Sequence, residues 1–210
     1  MMKRLALTLF TLLFGFGLAG PVSANDAPDV LVKNVTGEVL AIIKADKELQ
    51  SGSMKKMLEL VDAKILPHFN FTRMTALAVG QEWRKATPEQ KLQLAAEFKV
   101  LLVRTYANAL VSYKNQSIDY KPLRMAPTDT EVTVKTEVRQ TSGQPIQLDY
   151  TLQKKDDGWK VFDIVVAGVS LVTNYRDSFG QEIRNGGIDG LIASLVAKNQ
   201  QTPTSGAKKS

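Results

Sequence analysis

Few residues in this chain can do bond-making chemistry. It holds one histidine, His68, and no cysteine, so nucleophilic catalysis would have to run through a serine activated by that imidazole. The segment nearest to a nucleophile elbow, Gly168-Val169-Ser170, has Val172 where G-x-S-x-G requires its second glycine. His, Asp and Glu do not cluster at metal-ligand spacing, and G-x-x-x-x-G-K is absent. Glu131 and Glu137 fall on the polar side of an alternating stretch, where carboxylates are solvated. His68 follows Pro67 at the end of a helical pattern and is expected to be structural. The expectation is a protein that is not an enzyme and needs no cofactor or metal.

What the sequence has in surplus is apolar surface. In VFDIVVAGVSLVTNYRDSF, residues 161–179, strict alternation puts Val161, Val165, Ala167, Val169 and Leu171 on one side of a strand and Phe162, Ile164, Val166 and Val172 on the other. A half-buried strand alternates apolar with polar. The residues alone leave open whether the second face packs on helices or meets a ligand.

The elements around this stretch read as helices first, sheet second, helices last. Pro28 and Asp29 open a pattern carrying Val32, Val35, Val39, Ile42 and Ile43 at helical spacing; Ser53 precedes a second, with Met54, Met57, Leu58, Val61 and Ile65, stopped by Pro67. Asn70 is a cap for a short third helix closed by Gly80. Thr87-Pro88-Glu89-Gln90 is a capping box with proline at the first helical position, starting a helix that reaches about residue 113. From Ile118 the period becomes two, through Val132 to Arg139, Ile146 to Gln153 and, past Asp156-Asp157-Gly158, Trp159 onward. Helix returns near Leu171, breaks at Gly186-Gly187 and resumes to Lys198. The fold class is α+β in one domain, with helices packed on one face of an antiparallel β-sheet.

The ends have their own signals. Lys3 and Arg4, the apolar run from Leu5 to Leu18 and the small-residue site Val22-Ser23-Ala24 make residues 1–24 a cleaved signal peptide. The folded domain is expected over 25–198 and a disordered tail over 199–210. The apolar run is short of the roughly 20 residues a membrane span needs, so no transmembrane segment is expected, and the location is the periplasm. Of 27 basic residues, Lys3 and Arg4 leave with the leader, so 25 stand against 21 acidic ones, a net charge of +4. That excess suits solubility, or attraction to an anionic surface or acidic partner. Nucleic acid is not expected as a partner, because basic residues are not interleaved with aromatics.

Three segments carry a resemblance: ILPHFNFTRMTALAVGQEWRKATPEQKLQLAAEFKVLLVRTYANAL, GWKVFDIVVAGVSLVTNYRDSF and GGIDGLIASL. In this order they resemble the MlaC family, the periplasmic phospholipid-binding component of the Mla lipid transport system, also called toluene-tolerance proteins. The chain departs from the common family pattern at Asn70, often Asp, and at Ala167, often Glu. The resemblance implies an NTF2-like-related fold enclosing an apolar lipid cavity, with phospholipid as cargo. It implies a monomer whose partners are an inner-membrane ABC transporter complex with MCE domains and an outer-membrane lipoprotein–porin complex, and a role in outer-membrane lipid asymmetry. For such a carrier the candidate lipid-binding residues are Phe71, Met74, Leu77, Phe98, Leu101, Leu102, Tyr106, Leu110, Val134, Leu148, Tyr150, Val166, Val169 and Leu171, about half facing lipid and the rest core. Arg73, Arg84, Lys85 and Arg176 are the candidate cations for a cavity mouth, with a solvated surface role the first expectation for each. The alternative class is a periplasmic chaperone or peptide-binding module with an apolar groove.

Overall fold

Local signals decide where each helix begins. The computed structural model describes residues 26–111, 116–140 and 143–200. Helix α1 (Pro28–Ala45) has Pro28 in its first turn and turns Leu31, Val32, Val39 and Ile43 inward. The Asp46 carboxylate accepts from the amides of Glu48 and Leu49 at 2.8 and 3.1 Å and starts the single turn α2 (Lys47–Gln50). Ser53 caps α3 (Met54–Leu60) over a longer 3.5 Å. The helical run then widens to a π-turn over Val61–Ile65 and tightens to a 3₁₀ turn over Leu66–His68, where Pro67 has no N–H to donate. Asn70 accepts from the Arg73 amide at 2.9 Å to start α4 (Phe71–Val79). Thr87 and Gln90 close the capping box in both directions, at 3.0 and 3.2 Å, ahead of α5 (Pro88–Val111).

The strands β1 (Ser117–Tyr120), β2 (Glu131–Arg139), β3 (Ile146–Lys155), β4 (Gly158–Val166) and β5 (Val169–Ser170) form one antiparallel sheet in sequence order. Its register corrects the strict alternation read across residues 161–172. Leu152 pairs with Val161 but Thr151 pairs with Asp163, so Phe162 is the extra residue of a β-bulge. The phase shifts there. Val161, Ile164 and Val166 share the inner face with Val132, Val134, Leu148, Tyr150 and Leu152, whereas Val165 lies on the outer face with Asp149 and Asp163. A two-residue turn, Ala167-Gly168, returns the chain so that Val169 pairs with Val166, and the Leu171 amide donates to the Ile164 carbonyl at 2.8 Å. Val169 and Leu171 thus join the inner face as well. The turn needs positive φ twice, met by Gly168 at 85° and by Ala167 at 49°, the latter the one non-glycine residue in that region among those described. An alanine there costs about 1–2 kcal/mol, offset by a twist that matches the strands.

Three apolar clusters join the elements. Leu31 and Val32 of α1 pack on Val132, Val134, Leu152, Trp159 and Val161 of the inner face. A second cluster binds α1 to α2, α3 and Val103 of α5. The third unites α4, α5 and α6 (Arg176–Gln200) around Phe98, with Phe162 and Val172 reaching in from the sheet. The bulge makes that last contact possible, since it throws Phe162 out toward α4, whose Arg73 guanidinium lies 3.6 Å over its ring. Phe69 bridges beside Val161, and the Asn70 amide donates to the Val161 carbonyl at 2.8 Å, so α4 is launched from the free edge of β4. Helices therefore cover one face, as expected, and also wrap one edge.

α6 bends at Gly187, which takes φ 67°, as the Gly186-Gly187 pair predicts. It runs to Gln200, two residues past the expected limit at Lys198, because the Asn199 amide donates to the Glu97 carbonyl and carboxylate at 2.9 and 2.8 Å. The leader and residues 201–210 lie outside the described residues. Among the described residues, no helix is long and apolar enough to cross a membrane.

Candidate functional site

The inner face of the sheet changes character along its length. Three rows run across it. Val132, Leu152 and Val161 form the first and are all buried; Val134, Tyr150 and Ile164 form the second, with Val134 at 0% exposure and the other two half-buried. In the third, Thr136 is buried, Tyr120, Leu148 and Val166 are half-buried, and Val169 at the end is 54% exposed. Beyond it Ile118, Val138 and Ile146 are again only half-buried. α1 closes the first rows and stops. The rest is an apolar patch on the inner face that the described residues leave partly uncovered, and apolar surface of that kind marks a binding site more often than a solvated wall.

Thr136 is silenced, since its hydroxyl donates to the Leu148 carbonyl at 2.6 Å, and beside the phenols of Tyr120 and Tyr150 the remaining side chains of these rows are apolar. At the lip of the patch, β5 is fastened by Ser170, whose hydroxyl donates to Asp163 at 2.8 Å and accepts from the amides of Val172 and Thr173 at 3.2 and 2.9 Å. Ser170 is therefore a turn cap, already bonded in three directions. Burial raises the Asp163 carboxyl above its ordinary pKa, against the opposing bond from Ser170. His68, the other half of any Ser-His pair, sits in the 3₁₀ turn before α4, where burial and the nearby Lys160 lower its pKa against the pull of Glu38.

Six candidates meet on the inner face: Val134, Leu148, Tyr150, Val166, Val169 and Leu171. Val134 is closed off by α1, as are Met74, Phe98 and Leu102 by the helical cluster, each with 8% exposure or less; their surfaces are taken by protein. Phe71, Leu77, Leu101 and Tyr106 are half-buried at the border of that cluster. Burial and the neighbouring Tyr175 push the Tyr106 phenol up to about 12. Leu110 falls on the last turn of α5, outside the residues whose side chains are described. Ile118, Val138, Ile146 and Ile164 belong to the patch and were not among the candidates. Alternation carried the first three; Ile164 was hidden by the bulge.

Of the four cations considered for a mouth, three are engaged with protein groups. Arg73 pairs with Glu131 at 2.7 Å on the outer face, Arg176 donates twice to the Leu77 carbonyl at the end of α4, Lys85 pairs with Glu82 at 2.9 Å, and Arg84 is exposed. A separate open cleft of about 940 Å³ lies outside the sheet, between the start of α4, the middle of α5 and the tip of the β3–β4 hairpin. Of the candidates it takes only Phe71.

Fold and site define an α+β chain whose antiparallel sheet turns an apolar face inward, half closed by helices. The chain belongs to the MlaC family, whose model, described as MlaC protein, matches residues 33–197. It is 29% identical over 193 residues to the toluene tolerance protein ttg2D of Pseudomonas putida, covering 89% of each chain. It is 24% identical over 203 residues to the intermembrane phospholipid transport system binding protein MlaC of Haemophilus influenzae, covering 95% of each. A solved structure of a phospholipid-binding protein from Ralstonia solanacearum, in complex with a phospholipid, superposes with a TM-score of 0.78 at 42% identity, covering 83% of this chain and 97% of that one.

Proposed function

We propose that this chain is a periplasmic phospholipid carrier, in which the uncovered end of the inner sheet face receives the acyl chains. The observation that carries the reading is the graded burial of that face: a solid core would close its rows alike, yet here closure fails from Tyr150 and Ile164 onward. The similarity to a structure that holds a phospholipid points the same way. Two acyl chains of about thirty methylenes, at about 0.8 kcal/mol each, amount to roughly 24 kcal/mol of transfer from water. Release into solvent is then too slow to serve transport. Handover requires docking, with the inner-membrane ABC transporter complex and its MCE domains on one side and the outer-membrane lipoprotein–porin complex on the other, a route that would maintain outer-membrane lipid asymmetry. The leader brings the chain to the periplasm. Its role is binding rather than catalysis, since the Ser170 hydroxyl is committed to a turn.

The test is extraction of the mature protein, purified from a bacterial periplasm, into organic solvent and mass spectrometry of the extract. Glycerophospholipid at near-stoichiometric amounts is expected. Lipid-free, well-folded protein would overturn the carrier reading in favour of a chaperone or peptide-binding module.

A further inference from the structure

Helix α1 carries its buried residues as one stripe, and the stripe has a gap. Leu31, Val32, Val39 and Ile43 are each exposed by 5% or less. Val35 lies within the same stripe, between Val32 on one turn and Val39 on the next, yet it is half-buried. It is also the one described residue that packs against both neighbouring clusters: Leu31 and Val32 before it lie on the sheet, whereas Val39 and Ile43 after it lie on α2, α3 and Val103 of α5. Val35 therefore stands at the corner where α1 leaves the sheet for the helices, and the two packed surfaces diverge beside it. The sheet residues that share its cluster and its partial exposure include Tyr150 and Ile164, where closure of the inner face fails.

The open face beyond this corner has the length of a lipid tail. From Val134 in the second row to Val138 in the last is four residues of β2, about 14 Å at roughly 3.4 Å per residue. Half of a bilayer hydrocarbon core of about 30 Å leaves about 15 Å for one acyl chain. A chain laid along the strands with its ester end at the last row reaches the second row, where α1 crosses its path. We propose that Val35 is a specificity-determining residue, the stop against which the terminal methyl of an acyl chain rests, so that its volume sets the longest chain the face can cover. The inference rests on the carrier reading and adds what limits the cargo. A methylene that does not fit stays in water, which lowers relative affinity about fourfold, whereas in the donor bilayer the same methylene is already buried.

Val35→Ala deepens the corner and Val35→Leu fills it, each by a change small enough for a half-buried helical position to accept. Val39→Ala removes the same atoms from the closed part of the stripe and serves as the control. The full mature chain is incubated with fluid vesicles holding equal amounts of dimyristoleoyl, dipalmitoleoyl and dioleoyl phosphatidylglycerol and re-isolated. Bound lipid is then quantified by mass spectrometry and the melting temperature recorded. Relative to wild type, the bound ratio of dioleoyl to dimyristoleoyl lipid is expected to rise about fourfold or more in Val35→Ala and to fall about fourfold or more in Val35→Leu. Val39→Ala is expected to melt lower with the ratio unchanged. An unchanged ratio in both Val35 variants at full lipid load overturns the inference and leaves the carrier reading in place. An equal shift in Val39→Ala overturns it too, because selectivity would then follow a general loosening of α1. Wild-type protein that takes up none of the three lipids overturns the carrier reading, and the stop falls with it.

Discussion

His68 is held in a place where burial and the Lys160 ammonium both disfavour its protonated form, with Glu38 pulling the other way. Its pKa in the folded chain lies below the ordinary 6.5, so between the two values the unfolded chain binds the proton more readily and stability falls as pH falls. Above 6.5 this contribution is constant. The expected outcome is that His68→Gln reduces the drop in melting temperature between pH 7.5 and 5.5, measured by circular dichroism, and leaves lipid content unchanged. A drop equal to that of the wild type would mean that the imidazole is as well solvated in the fold as out of it. Asp163, whose raised pKa acts in the opposite sense, is common to both proteins and cancels in the comparison. The place of His68 at the end of a helical run was legible from its position after Pro67; what shifts its charge was not, because Lys160 is 92 residues away in sequence and arrives through the β4 edge.

At the scale of elements, helix starts were read well because their causes are local. The Thr87–Gln90 box, the Asn70 cap and the Gly187 bend each depend on a few adjacent residues and a known backbone geometry. Strand faces were read less well because register depends on the partner strand. The bulge at Phe162 follows from how β4 meets β3, and one extra residue reassigns every side chain after it. The apparent two-sided greasiness of residues 161–172 has this origin: most of it is one face, and Phe162 is diverted to the helices. The contrast between two valines on that face tests the assignment. Val134 is fully closed, so Val134→Glu buries an unpaired carboxylate and is expected to destabilise by about 4 kcal/mol or more, giving unfolded or aggregated protein. Val169 lies at the open lip, so Val169→Glu is expected to fold with a melting temperature near that of the wild type and to lose lipid by about tenfold or more, since bound hydrocarbon would desolvate the carboxylate. Circular dichroism melting and lipid extraction on both variants separate the outcomes. A folded Val169→Glu protein with full lipid load would remove Val169 from the site.

For the whole molecule, the α+β order and the one-sided sheet followed from periodicity, whereas the half-closed face did not. A row of buried valines and a row facing a cavity look alike in sequence, because both are apolar with period two; the difference lies in how far α1 reaches along the sheet. The helix candidates show the same limit, Met74, Phe98 and Leu102 being core residues with nothing in their spacing to say so. The account stands on the claim that acyl chains lie on the inner face beyond the second row. The most direct measurement is photolabelling: the protein is loaded with a phospholipid bearing a diazirine near the end of one acyl chain, irradiated, digested with trypsin and mapped by mass spectrometry. The predicted label falls on the peptides spanning residues 140–154 and 161–176, at Leu148, Tyr150, Ile164, Val166, Val169 or Leu171. Label confined to the peptides spanning 65–73 and 92–99, which border the outer cleft, would contradict the claim.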